Sequence, residues 1–150
     1  MRKKIINKYL FISVKPEFAG KILSNSKTIE LRKYKPNILI GDYIIIYASS
    51  PMKTVVAFAV IKNIIKTTPQ MMWKNFSQSL GIDKERYDNY YSGSLNAIGI
   101  EFDEITKIDP VHLSDLKNID PQFQPPQLYR YISNNNNYKA MINLMQLPPL

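Results

Sequence analysis

The sequence predicts an α+β fold, a small β-barrel with flanking helices. Three observations carry that reading. Short runs rich in β-branched and aromatic residues alternate with turn residues; two helical stretches interrupt them, in the order β-α-β-β-β-α-α-β; and neither an internal repeat nor a shift of composition divides the 150 residues. Residues 1–150 are therefore expected to form a single domain. Hydrophobic residues make up 45% and charged residues 21%, which is enough apolar material for one sizeable core.

Tyr9–Val14 reads as the first strand. Pro16 then opens a helix, a position where its missing N–H has no partner to lose. Phe18/Ile22 and Ala19/Leu23 give that helix one apolar face, with Glu17 and Lys21 on the other. Ser24–Ser26 is a turn. From Lys27 to Tyr34, Thr28, Glu30 and Arg32 alternate with Ile29 and Leu31, the period of a half-buried strand. Pro36 and Gly41-Asp42 punctuate the next loop. Tyr43–Ala48 and Val55–Ile61 are continuous apolar runs suited to interior strands, joined through Ser49–Lys53.

Thr68-Pro69 starts a second helix, in which Met72, Phe76 and Leu80 share a face and Gly81 is the stop. Asp83 caps another, carrying Tyr87, Tyr90 and Tyr91 and ending near Gly93. Leu95–Ile105 reads as a strand. Pro121–Gln127 is a Pro/Gln-rich connection into 128–132, Asn134–Asn137 a polar loop, and Tyr138–Leu147 a terminal helix.

Several function classes are excluded or made poor fits. There is no cysteine, hence no disulfide framework and no thiolate nucleophile, and a single histidine, His112, makes a poor zinc site. No Walker loop or dinucleotide glycine pattern occurs, so no cofactor is expected. No apolar run reaches the roughly 18 residues of a membrane span, and Tyr9–Val14 is too short for a signal-peptide core. The chain is expected to be cytoplasmic, with no membrane partner.

Charge is distributed unevenly. Residues 1–35 hold ten Lys or Arg against Glu17 and Glu30, while the rest of the chain is balanced. The net +8 therefore sits in the first quarter, which points to an anionic partner.

The stretch Ile12–Ala19 followed by Ile22–Arg32 resembles the start of ASCH domains, a PUA-like family marked by Gly-x-Lys-x-x-x-x-Arg. Lys27 and Arg32 stand at that spacing, with Asn25 in place of the glycine. Gly41-Asp42, Val56–Ile64 and the late Pro125–Ile132 extend the resemblance. It implies a PUA-like pseudo-barrel with a cleft beside the first helix, lined by the Lys/Arg motif, and RNA or a modified nucleoside as ligand. Some members resemble amidohydrolases acting on N4-acyl cytidine through a lysine, a threonine and a glutamate; others are ribonucleases or RNA-binding modules. Here Glu30 replaces that threonine, and residues 68–80 contain no acid.

The expected binding set is Lys15, Lys27, Thr28, Glu30, Arg32, Ser49, Tyr129 and Arg130, with Lys27 and Glu30 as catalytic candidates. Arg32 offers a planar donor fork for phosphate and Lys27 a point charge, while Glu30 can orient Arg32 or act as a base. Lys15 flanks a helix N-terminus, a natural anion site. Strand parity places Lys27 with Ile29 and Leu31, so it joins Arg32 only from the preceding turn. The tyrosines could stack on bases, although core packing is the commoner use. Three functions follow from this set: an RNA- or nucleotide-binding domain, a metal-independent hydrolase of RNA or acylated cytidine, and a basic module for a protein partner.

Overall fold

The computed structural model describes residues 9–127, 129–132 and 136–149. Strands β1 (Tyr9–Val14), β2 (Ile29–Arg32), β3 (Tyr43–Ala48), β4 (Thr54–Thr67), β5 (Ala97–His112) and β6 (Tyr129–Ile132) form one mixed sheet in the order β2-β5-β4-β3-β1-β6. The helices are α1 (Pro16–Leu23), α2 (Pro69–Phe76) with a 3-10 turn at Ser77–Ser79, α3 (Lys84–Tyr91), α4 (Leu113–Ile119) and α5 (Asn136–Leu144). β2 and β6 remain edges, so the α+β architecture is an open pseudo-barrel. Among the described residues no helix is long and apolar enough to cross a membrane.

Alternation along the strands explains the layers. In β1, Leu10, Ile12 and Val14 join one core with α1, while Tyr9 and Phe11 join a second core under α4 and α5. In β3, Ile44, Ile46 and Ala48 follow the first group, and Ile45 and Tyr47 the second. Each buried aliphatic contributes roughly 1.5–3 kcal/mol. A third cluster, with Ile29, Leu31, Met72, Leu80, Tyr87 and Tyr91, seats α2 and α3 against β2.

The strands at 9–14 and 43–48 and the helix starting at Pro16 match the expected boundaries. Three differences have physical causes. The expected strand from Lys27 to Tyr34 is only Ile29–Arg32: Lys27 and Thr28 hydrogen-bond through their amides to the carbonyls of Lys21 and Ser79 instead of joining the ladder. β4 runs on past Ile61 to Thr67 and β5 past Ile105 to His112. The two pair along nearly their whole length, with register shifts between Val55 and Ala57, Ala59 and Ile61, and Ile61 and Asn63. Bulges of this kind bend a strand and raise its twist, which curls the sheet. Finally, His112 starts α4, a seven-residue helix absent from the pattern reading. Its ring nitrogen accepts from the Ser114 amide (3.1 Å) and Asp115 accepts in return from the His112 amide (3.2 Å), a capping box.

Candidate nucleic-acid interface

β1 and β3 run parallel and end side by side at Val14 and Ala48. Beyond them the chain diverges, one branch into α1 and the other into the loop 49–53. A cleft of about 760 Å3 opens between these branches, roofed by α4 and residues 124–127. Four cations line it: Lys15 ahead of α1, Arg32 at the end of β2, Lys53 in the loop after β3, and Lys117 on α4. Among the described residues no Asp or Glu lines it. Ser13, Ser49 and Ser50 add small polar groups, and Phe18, Tyr47 and Tyr90 add rings. Such a lining suits an anion carrying a flat apolar group.

Local structure positions these side chains. Lys15 is the N-cap of α1 and makes no side-chain cap hydrogen bond, and it lines the cleft together with Phe18 of the first turn. Lys53 holds φ 49, in the left-handed region that costs a non-glycine residue about 1–2 kcal/mol. Its carbonyl accepts from the Leu113 amide (2.8 Å), which ties the loop to the start of α4. Tyr47 is 2% exposed, and burial pushes its phenol pKa up.

Behind the cleft wall lies a buried charge chain. Lys27 is 4% exposed, and its Nζ donates to the Leu80 carbonyl (2.7 Å) and stands 3.9 Å from Glu30 Oε1. The other Glu30 oxygen accepts from Arg32 (3.3 Å), and Arg32 alone of the three reaches the lining. Burial holds the Lys27 ammonium pKa below its usual value; Glu30 opposes that shift, and Arg32 and Lys21 add to it. The stem of Lys27 lies against Gly81, whose φ is +63; a Cβ there would sit 2.6 Å from Lys27 Cβ. No residue but glycine meets both conditions. Asn25, standing where the motif has glycine, adopts φ 64, the left-handed geometry that asparagine tolerates.

The structure thus brings Lys15, Arg32 and Ser49 into the cleft and sets Lys27 and Glu30 directly beneath it, where they hold Arg32. Thr28 lies outside the lining; its backbone donates to Ser79 and accepts from Phe102. The side chains of Tyr129 and Arg130 lie outside the described residues, as do Arg2, Lys3, Lys4 and Lys8 of the basic N-terminal segment. Tyr87 and Tyr91 are core residues, their hydroxyls donating to the carbonyls of Pro69 (2.6 Å) and Arg32 (3.0 Å), whereas Tyr90 reaches the cleft. Sequence reasoning missed Tyr47 and Lys117. Tyr47 looked like one more residue of an apolar strand, although it lies next to the strand end. Lys117 had no signal, because its helix was not recognised.

The family model described as the ASCH domain matches residues 12–109. A protein of Zymomonas mobilis named ASCH domain-containing ribonuclease is 31% identical over 130 residues, covering 87% of this chain and 88% of that one. The crystal structure of ASCH from Zymomonas mobilis superposes with a TM-score of 0.85 at 29% identity, covering 93% of this chain and 97% of that one. A hypothetical protein from Leishmania major shares the fold at 12% identity, with a TM-score of 0.56 and coverage of 94% and 96%. With the family model spanning well over half of its length and a similar chain matched almost end to end, this protein belongs to the ASCH domain family.

Proposed function

We propose that the cleft binds single-stranded RNA and cleaves its phosphodiester backbone. The observation that carries this reading is the lining itself: among the described residues, four cations and no carboxylate surround a hollow large enough for a short nucleotide segment, with rings on its walls. The name of the Zymomonas mobilis relative, a ribonuclease, supports the same reading. Phosphodiester cleavage concentrates negative charge on the phosphate oxygens in the transition state. Arg32, held by Glu30, offers a fork for two of those oxygens, and Lys53 and Lys117 offer point charges. Tyr47, a phenol that carries its proton at neutral pH as tyrosines do, donates a hydrogen bond to the reacting phosphate or its leaving oxygen. Lys27 acts in this scheme as a support for Glu30 and Arg32 and does not itself touch the substrate.

The test is an RNA oligomer labelled at both ends and incubated with the wild type, Tyr47→Phe and Lys53→Ala. Removal of one such charge-stabilising group should slow turnover by about 10²–10³. Binding without turnover in the wild type makes the chain an RNA-binding module. Failure to bind RNA at all leaves the basic protein-interaction module. Parallel incubation with N4-acetylcytidine tests the amidohydrolase reading, which needs a lysine open to substrate and meets here a Lys27 engaged by Leu80.

A further inference from the structure

Two of the most exposed large hydrophobics of the fold, Tyr34 (83% exposed) and Leu95 (86%), lie together. With Lys33, Ser94 and Asn96 they line a second hollow of about 260 Å3. That is below the roughly 300–1,000 Å3 of pockets that engulf a ligand, and it suits one planar base laid on the surface. Exposing a tyrosine ring and a leucine side by side costs hydrophobic free energy and serves no core.

The second hollow neighbours the first along the chain, through Arg32 and Lys33. Tyr90 lines the main cleft, and Lys33 Nζ stands 5.0 Å from the centre of its ring while facing the second hollow. Along the backbone, Arg32 belongs to the cleft, and Lys33 and Tyr34 to the second site. Two residues span at most about 7 Å, some two base rises of ~3.4 Å each. A strand leaving the cleft at Arg32 therefore reaches Tyr34 within a step or two. Among the described residues no Asp or Glu lines this hollow either. Ser94 and Asn96 offer hydrogen-bonding groups at the base edge, and Lys33 offers a cation for the backbone phosphate.

We propose that Tyr34 and Leu95 form an accessory subsite that stacks one base of single-stranded RNA running out of the cleft, with Lys33 holding the phosphate between the two sites. This rests on the RNA reading of the cleft and adds a length requirement to it: oligomers long enough to span both hollows bind better than those filling the cleft alone.

Fluorescence anisotropy with labelled 2′-O-methyl oligouridylates, a dinucleotide and a hexanucleotide, tests the subsite. Wild type should prefer the hexanucleotide. Tyr34→Ala should weaken the hexanucleotide by about tenfold or more, the usual worth of one aromatic stack, and leave the dinucleotide unchanged. Tyr34→Phe should retain wild-type behaviour, because stacking uses the ring face. Equal binding of both lengths by wild type, an equal loss on both in Tyr34→Ala, or a full loss in Tyr34→Phe overturns the subsite while the cleft reading stands. Failure of wild type to bind either oligomer overturns both.

Discussion

The contact between Gly81 and Lys27 yields a quantitative prediction. Gly81→Ala imposes two separable penalties: a left-handed backbone on a residue with a Cβ, about 1–2 kcal/mol, and a collision with the Lys27 stem, whose Cβ would lie 2.6 Å away. The lysine must yield, and its charged hydrogen bond to Leu80 goes with it, worth about 1.5–3 kcal/mol. Gly93 supplies the control. Its φ is +77, but nothing stands within 4 Å of its added Cβ. Gly93→Ala should therefore cost about 1–2 kcal/mol and Gly81→Ala about 3–5 kcal/mol. At roughly 2–4 °C per kcal/mol for a chain of this size, the midpoints of thermal unfolding should differ by about 3–12 °C. Urea titration gives the same difference as a free energy. Losses equal within about 0.5 kcal/mol would show that Gly81 is a turn glycine only and that Lys27 is not anchored through it.

Glu30→Gln removes the carboxylate shared by Lys27 and Arg32 and should cost about 3–5 kcal/mol, against about 1–3 kcal/mol for Lys27→Met, which takes the lysine donor from the Leu80 carbonyl; denaturant midpoints check the order. With four cleft cations as the contacts, the log–log salt slope for a short single-stranded oligomer confined to the cleft should be about −2.8, roughly a fiftyfold loss over a fourfold rise in salt, measured by anisotropy. Lys117→Ala should bring that slope closer to zero by about 0.7. Burial pushes the Tyr87 phenol up to about 12, so the folded state keeps a proton that the unfolded chain releases near 10. Stability should accordingly fall as pH rises through that window. Tyr87→Phe loses about 1 kcal/mol at neutral pH with its hydrogen bond to Pro69, yet declines less steeply in alkali; unfolding curves across that range decide it.

How far the sequence foretold this arrangement depended on the range of the forces involved. Tyr9–Val14, Pro16 and Tyr43–Ala48 were readable because their burial pattern and backbone chemistry are local. The Lys27/Arg32 spacing pointed to the right neighbourhood, and parity warned that the two would not project alike. It could not show that Lys27 turns inward, because that depends on the Leu80 carbonyl and on a bare glycine more than fifty positions away. The far halves of β4 and β5 lack apolar alternation because each is held by pairing with the apolar first half of the other strand more than by burial of its own. Charge counting found Lys15 and Arg32 in the basic first quarter and gave no weight to Lys117, which comes from a balanced region and meets the others only in space.

The matched family segment stops at residue 109, yet Leu113, Lys117 and the stretch 124–127 close one side of the cleft. The sheet and the two cores on the Arg32 side lie mostly upstream of that wall, whereas the core that holds Tyr47 draws Leu116 and Phe123 from the closing segment itself. Substitutions at the lining positions Lys117 and 124–127 can therefore redraw the bore and charge of the groove, while Leu116 and Phe123 beside them stay committed to the core. If the cleft holds RNA as proposed, substrate choice can drift through a short downstream stretch while Lys15, Arg32 and Lys53 stay in place.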